Sequence, residues 1–181
     1  IKDKAAFIKE KTRTTVDDLR RISVDLRPSI LDDMGLNAAL RWLTSRTNDT
    51  KRIRVYTSLK GIKSDLNPVV EVNVFRIVQE ALNNIERHSK ASEAHVTLDA
   101  RAGSLVVSIK DNGQGFFVPD KLADLVTQGK LGIIGMQERV KSLGGSFKIT
   151  SKSDEGTLVL IEVPYQISTI PQLQENERLG T

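Results

Sequence analysis

Residues 51–165 switch repeatedly between a two-residue and a helical spacing of apolar side chains, and this switching restricts the possible folds more than any other feature. Strand-like patterns lie at Arg52–Leu59, 94–100, 105–109, Phe147–Thr150 and Thr157–Val163. Helical patterns run from Pro68 to about His88 and from Ile133 to Leu143. Because each spacing is typical of one kind of element, the alternation predicts a mixed α/β layer structure.

The first 50 residues predict two helices with narrow apolar faces. One helix covers residues 1 to about 26, and its stripe at the spacing of a helix bundle consists of Ile8, Thr12, Thr15, Leu19, Ile22 and Leu26. Pro28 ends this helix, since proline cannot donate a backbone hydrogen bond. A second helix is predicted from about Leu36 to Arg46. Each apolar face needs either a partner chain or the domain that follows, and the sequence leaves both open.

The composition is that of a globular protein. The 181 residues are 39% hydrophobic and 28% charged, which suffices for one domain with a substantial core and an appendage. No apolar run approaches the roughly 18 residues that cross a bilayer. The chain has no cysteine, which excludes disulfides and thiolate chemistry and is compatible with a cytoplasmic protein. A start at Ile1 rather than Met predicts a piece of a longer protein, and the polar residues 166–181 predict a mobile tail.

The charge distribution argues against direct nucleic-acid binding. The net charge of +4 is spread thinly along the chain and interleaved with acidic residues. Aromatic residues make up 4% of the chain and offer few stacking platforms. Nucleic-acid-binding proteins usually concentrate basic side chains on one face, so we expect no nucleic acid among the partners.

The helix that begins at Pro68 carries a polar stripe near its end. Glu80, Asn84, Arg87 and His88 lie within two turns of one another. Such a stripe on an ordinary helix is most often solvated surface. A carboxylate, an amide and two potential cations would also suit a hydrated magnesium ion and phosphates, because Mg²⁺ takes few oxygen ligands from protein.

Two glycine-containing segments flank an irregular connection over residues 112–131. Asp111–Gly115 follows an alternating strand, where a carboxylate can accept a hydrogen bond from an exocyclic amine, although Asn-Gly is also a common turn. Gly129–Gly135 opens a helix, and backbone amides at a helix N-terminus suit anions. The spacing of a P-loop is absent. A loop of this length usually has a function, and we expect a mobile lid.

These segments resemble the motifs of one family. The run Phe75–Ala91 is similar to the N box of the histidine kinase catalytic domain, in the form found in the subfamily with a short dimerisation domain, which includes nitrate sensors. Asp111–Gly115 resembles the G1 box. Gly129–Gly135, with Met136–Val140 behind it, resembles the G2 box.

Two further matches extend the resemblance. Gly156-Thr157, followed by a strand ending at Pro164, resembles the closing motif of the family, and Leu26–Leu40 resembles the second dimerisation helix and its exit. The five matches follow the order of the family's motifs along the chain, with Leu26–Leu40 first, and cover about residues 15–165. The resemblance implies an α+β two-layer sandwich of the Bergerat type, shared with DNA gyrase and the Hsp90 chaperones, preceded by a helix from a dimerisation bundle.

The resemblance implies a nucleotide site with a base end and a phosphate end. At the base end, Asp111 would accept from the adenine amino group, Gly113 and Gly115 would line the pocket, and Thr157 would lie near adenine through water. At the phosphate end, Asn84 would bind magnesium, while Gly132 and Gly135 would form the lid hinge and phosphate-facing amides. Further phosphate contacts are expected from Arg87, His88 and Lys130.

Glu80 and the two histidines need separate treatment. A glutamate at this spacing activates water in hydrolysing relatives of the fold, so we place Glu80 beside nucleotide and magnesium and leave its part in the chemistry open. The phosphoacceptor histidine of the family is followed by an acidic residue, whereas Ser89 follows His88, and His95 lies on the polar face of a predicted strand. We therefore expect the donor half of the reaction without its acceptor.

The resemblance implies a division into three segments: residues 1–50 as dimerisation and connecting helices, 51–165 as the catalytic domain and 166–181 as the tail. The implied function is binding of ATP and Mg²⁺ and transfer of the γ-phosphoryl group to a histidine, for relay to a response regulator. The implied assembly is a homodimer, with any membrane attachment through upstream regions. The alternatives are a hydrolysing or serine-directed relative of the same fold, and a non-catalytic nucleotide-binding module.

Overall fold

The computed structural model describes residues 29–50, 52–61, 66–101, 103–119, 121–126 and 129–165. The helix expected over residues 1–26 and the tail at 166–181 lie outside these ranges. Among the described residues, no helix is long and apolar enough to cross a membrane.

Five strands form one mixed sheet. They are β1 (Arg54–Lys60), β2 (Glu93–Arg101), β3 (Ser104–Asp111), β4 (Ser146–Ser151) and β5 (Thr157–Pro164). The spatial order is β1-β2-β3-β5-β4; β1 and β2 run parallel, and the other neighbours run antiparallel. The hairpin predicted from the two-residue alternation is therefore confirmed as β2–β3. The ends of β3 and β5 meet where Asp111 lies opposite Thr157.

Within the described ranges, three α-helices accompany the sheet: α1 (Ser29–Asp49), α2 (Pro68–Asn84) and α3 (Leu131–Ser142). The N-terminus of α2 is specified by its sequence, because the Asn67 side chain accepts from the Val69 N–H at 2.8 Å and Pro68 occupies the first turn. Gly35, with φ of 74°, interrupts α1, so that the predicted second helix from Leu36 forms its longer part.

An apolar core lies between the helices and one face of the sheet. Its centre includes Phe75 and Ile77 of α2 and the inward-facing residues of β2, β3 and β5. The predicted apolar face of the second helix is buried in this core and consists of Leu36, Ala39, Leu40 and Leu43. The described part of residues 1–50 thus packs on the domain that follows. The expected α+β two-layer sandwich is confirmed.

Candidate functional site

A cleft of about 560 Å³ opens between the end of α2, the start of α3 and the adjoining ends of β3 and β5. Nine of the eleven residues singled out from the sequence line it: Glu80, Asn84, Arg87, His88, Asp111, Gly115, Lys130, Gly132 and Thr157. Gly113 and Gly135 are not among the lining residues. The fold therefore brings motifs that are 77 positions apart along the chain, at residues 80 and 157, into one cavity.

Asp111 ends β3 and is 4% exposed. The Gly113 N–H donates to its Oδ1 at 2.8 Å, and the Thr157 N–H donates to the same carboxylate. Burial raises the pKa of the Asp111 carboxyl, and the two backbone hydrogen bonds oppose that shift. The carboxylate thus keeps accepting capacity directed at the cleft that it lines, where a ligand amine can donate to it.

An apolar floor lies beside Asp111. Ile109 of β3, Val159 of β5 and Ile149 of β4 are aligned across neighbouring strands and all line the cleft. Met136 of α3 forms part of the same lining and is buried. A flat, largely apolar ring could pack on such a surface while its polar edge meets the carboxylate.

Sequence analysis missed this floor, although a signal was present. Ile109 precedes Asp111 by two residues and Val159 follows Thr157 by two, so each shares a strand face with a residue that was recognised. The pairing of β4 with β5 then adds Ile149. The strand register, which the individual patterns do not specify, was the missing information.

The polar stripe of α2 forms the opposite end of the cleft. Asn84 Nδ2 donates to Glu80 Oε1 at 3.4 Å, which leaves the Asn84 amide oxygen as the atom for a cation. Lys130 precedes α3 and provides no side-chain cap, so the first-turn amides of α3 are suited to an anion. At Gly132, a Cβ atom would overlap the Glu80 carboxylate. A side chain at position 132 would therefore displace the Glu80 carboxylate from its present place beside Asn84.

A π-helical turn, Ile85–Ser89, follows α2 directly and carries Arg87 and His88 at the cleft. Such turns are frequent at functional sites. Gln114 joins this turn to the loop after β3: its backbone N–H donates to the Ser89 carbonyl and its Nε2 to the His88 carbonyl, both at 2.7 Å. These two hydrogen bonds therefore fix the position of the π-helical turn relative to the loop that follows Asp111.

Gly113 contributes behind the cleft rather than in its lining. A Cβ atom there would overlap the Ser89 carbonyl oxygen, so glycine permits the loop to approach the π-helical turn. Its N–H also holds Asp111, as described above. Gly135 lies one turn into α3, where its carbonyl accepts from Arg139 Nη1 at 3.0 Å. Neither residue contacts the cavity directly.

The described parts of the connection, residues 112–119, 121–126 and 129–130, are irregular, as predicted, apart from a short 3₁₀ turn at Leu122–Leu125. Leu125 is completely buried and anchors the middle of the segment, a feature that the sequence reasoning did not identify. Near its ends, Lys130 Nζ lies 3.5 Å from the centre of the Phe116 ring. Burial lowers the pKa of Lys130. The segment combines one fixed point with loop residues that border the cleft.

We expect ATP to slow amide hydrogen exchange in the described parts of residues 112–131. If opening of the segment releases nucleotide, protection should rise up to ~100-fold at an ATP concentration of about 100 times Kd. Exchange measured by mass spectrometry with and without ATP checks this. Equal and strong protection in both states would identify a rigid loop instead of a lid.

The variant Leu125→Ala tests whether the buried Leu125 side chain holds this segment in place. Removing a fully buried leucine side chain should accelerate exchange in this segment without nucleotide. Val126→Ala, at a neighbouring side chain that is 48% exposed, should leave exchange unchanged.

Comparisons with known proteins identify relatives of this chain. Over 166 residues, the chain is 34% identical to the signal transduction histidine-protein kinase/phosphatase DegS of Brevibacillus brevis, covering 87% of this chain and 39% of DegS. It is also 34% identical to the oxygen sensor histidine kinase NreB of Staphylococcus carnosus, covering 82% of this chain and 42% of NreB. The chain thus spans about two fifths of the length of these curated relatives.

Solved structures show the same fold. The blue-light activated histidine kinase of Erythrobacter litoralis EL346 superposes with a TM-score of 0.61 at 24% identity, covering 83% of this chain and 49% of that one. The histidine kinase AdeS of Acinetobacter baumannii gives 0.58 at 15% identity, covering 87% of this chain and 84% of AdeS. A family model described as "Histidine kinase-, DNA gyrase B-, and HSP90-like ATPase" matches residues 69–167, more than half of the chain. The resemblance seen in the motifs is therefore confirmed, and the chain belongs to the family of histidine kinase-, DNA gyrase B- and HSP90-like ATPases.

Proposed function

We propose that this chain binds ATP and Mg²⁺ as the catalytic domain of a sensor histidine kinase and donates the γ-phosphoryl group to a histidine other than His88 and His95. The observation that supports it best is the buried Asp111 carboxylate beside an apolar floor, with an oxygen- and cation-rich stripe at the other end of the same cleft. This arrangement matches a flat amine-bearing base at one end and a charged phosphate chain at the other.

At the base end, Asp111 accepts a hydrogen bond from the adenine amino group, and Gly115 and Thr157 border the ring. Gly113 supports this end indirectly through its hydrogen bond to Asp111. The Ile109–Val159–Ile149 row provides the apolar surface on which the ring lies. A charged acceptor in a buried setting favours an amine donor strongly, because an unmatched group there costs about 1–3 kcal/mol.

At the phosphate end, Asn84 would supply an oxygen ligand to Mg²⁺, with phosphate oxygens and water as further ligands. When bound, the ion would neutralise charge at the β- and γ-phosphates. The first-turn amide of α3 at Gly132 faces the phosphates, and Arg87, His88 and Lys130 line the same end of the cleft, whereas Gly135 does not line it. Glu80 holds the Asn84 amide and is the candidate for any further role in proton transfer.

The proposal includes the segment boundaries and the partners. Residues 1–50 would contain dimerisation and connecting helices, 51–165 the catalytic domain and 166–181 a tail. The complete protein would act as a homodimer and pass the phosphoryl group to a response regulator. The reaction would take place in the cytoplasm, where ATP is supplied. The support comes from the names of the relatives, DegS and NreB, both described as histidine kinases.

The experiment that tests the proposal uses γ-labelled ATP and three mixtures: this chain alone, this chain with the dimerisation helices of the same protein, and those helices alone. We expect acid-labile label on the helices only when both are present. Rapid release of inorganic phosphate without transfer would favour the hydrolysing alternative. ATP binding with neither transfer nor release would favour the non-catalytic module.

We expect this chain alone to form no phosphohistidine. His88 lies in the π-helical turn, whose backbone is held by Gln114. His95 stacks on Tyr56, with ring centroids 4.9 Å apart and planes 20° apart, and belongs to β2. In-line transfer requires the acceptor nitrogen to lie opposite the oxygen that leaves the γ-phosphorus, and we expect neither ring to take up that position without rearranging its element.

The measurement is label retained after alkaline treatment and lost in acid, followed by peptide mapping. Stable phosphate on His88 or His95 would contradict the division between donor and acceptor.

A further inference from the structure

The hydroxyl of Ser151, at the end of β4, makes three short contacts beneath the base end of the cleft. The Phe116 N–H donates to Ser151 Oγ at 2.9 Å. Ser151 Oγ donates to the Gly156 carbonyl at 2.9 Å. The third contact is with Thr157 Oγ1, also at 2.9 Å. Ser151 itself is not among the residues that line the cleft, whereas Thr157 is.

The proton positions in this group follow from the chemistry of its members. A serine hydroxyl has one proton and two acceptor sites. A backbone carbonyl can only accept and a backbone N–H can only donate. Since the Ser151 proton is directed to Gly156 and one acceptor site receives the Phe116 N–H, the contact with Thr157 is a hydrogen bond only if Thr157 donates.

Once Thr157 donates its proton to Ser151, only lone pairs of its hydroxyl remain for a ligand. Thr157 therefore faces the cleft as an acceptor, next to Asp111, whose carboxylate is also an acceptor and receives the Thr157 backbone N–H. Two neighbouring acceptors favour a group that brings two protons, such as an exocyclic amine or an amine-bound water. They disfavour a carbonyl at the same place.

We propose that Ser151 is a positioning residue that fixes the Thr157 hydroxyl as an acceptor and thereby contributes to the preference for adenine over bases with a carbonyl at that position. This inference rests on the proposed function. It adds a group outside the cleft that determines base specificity through the direction of one hydrogen bond.

The test compares ATP with inosine triphosphate, whose base has a carbonyl oxygen in place of the adenine amine. In Ser151→Ala, Thr157 is free to turn and donate its proton to that carbonyl. We expect the ratio of ATP to inosine triphosphate affinity, measured by calorimetry, to fall about 5-fold, the factor for one ordinary hydrogen bond. Ser153→Ala, an exposed serine in the turn after β4, is the matched control and should leave the ratio unchanged.

A purely structural role for Ser151 gives a different result. Loss of the Phe116 N–H acceptor alone would weaken both nucleotides equally, leave the ratio unchanged and overturn the inference. In a Thr157→Val background, which removes the reoriented hydroxyl, Ser151→Ala should have no further effect on the ratio; an undiminished 5-fold effect there would also overturn it.

A variant that does not fold and a chain that does not bind nucleotide can each be distinguished from a wrong inference about Ser151. If Ser151→Ala does not fold, Ser151→Cys keeps a side chain of similar size whose sulfur accepts the Thr157 proton only weakly, and the ratio should again fall. An unchanged ratio in that variant overturns the inference. If the unaltered chain binds neither nucleotide, the proposed function fails, independently of the role of Ser151.

Discussion

Asp111→Ala is expected to weaken ATP binding roughly 10- to 150-fold. A hydrogen bond to a charged acceptor contributes about 1.5–3 kcal/mol, and this factor is its equivalent in affinity. Asp111 is the buried carboxylate of the cleft floor, so water cannot readily replace it. Calorimetric titration with ATP measures the change, and an unchanged affinity in the folded variant would remove Asp111 from the base site.

Truncating a buried carboxylate also affects the fold, because the N–H groups of Gly113 and Thr157 lose their acceptor. Asp111→Asn separates the two effects. Its amide oxygen can still accept from the backbone, while its amide NH₂ group would be a donor facing the adenine amine, which is also a donor. We expect Asp111→Asn to lose affinity with a smaller loss of stability. Asp99→Ala is the control, since Asp99 is a half-exposed carboxylate paired with Arg101 on β2.

Acid should have a related effect on the unaltered chain. Because burial raises the pKa of Asp111, this carboxyl becomes protonated, as pH falls, before an ordinary aspartate does. Protonation removes the negative charge and turns one carboxyl oxygen into a donor, so the adenine amine loses its charged acceptor. ATP affinity should therefore decline on the acid side in the unaltered chain, and this decline should be reduced in Asp111→Asn.

Asn84→Ala is expected to reduce affinity for Mg·ATP by about 10-fold or more and to abolish the dependence of ATP binding on magnesium. Mutation of a residue that only hydrogen-bonds to a metal ligand already lowers metal affinity about 10- to 100-fold, and Asn84 is the proposed ligand itself. Because Asn84 is only half-buried and hydrogen-bonds to Glu80, its loss should leave the thermal midpoint nearly unchanged.

The measurements are ATP titrations with magnesium and with chelator, together with a thermal melt. Asn73→Ala is the matched control, because Asn73 lies on the same helix and donates to the Val69 carbonyl away from the cleft. Unfolding of Asn84→Ala would favour a structural role for the polar stripe. Persistent magnesium dependence in the folded variant would move the metal site elsewhere.

The elements that could be predicted are those in which the spacing of apolar residues is regular from end to end. The β2–β3 hairpin and the start of α2 at Pro68 follow from local alternation and capping, which do not depend on distant contacts. The π-helical turn at Ile85–Ser89 could not be predicted, because one widened turn does not change the apolar spacing enough to be visible. The buried position of Leu125 depends likewise on packing between distant segments.

The candidate site likewise contains residues that the sequence reveals and residues that it does not. Polar residues such as Asp111 and Asn84 stand out because they interrupt an apolar pattern or occur in a motif. Ile149 and Met136 do not stand out, since apolar residues in strands and helices are expected for any core. Gly113 was recognised, but its position behind the cleft follows from the approach of the loop to Ser89, which only the three-dimensional structure shows.

ATP should bind in one orientation in the cleft between α2, α3 and the adjoining ends of β3 and β5. An NMR titration of the ¹⁵N-labelled chain with ATP and Mg²⁺ measures this orientation. We expect saturable shifts of the amide signals of Gly115 and Thr157 with ATP, and also with adenosine, which lacks phosphates. The Gly132 signal should shift only when phosphates are present. Shifts confined to residues outside the cleft, or none at millimolar ATP, would show that the cleft is not the nucleotide site.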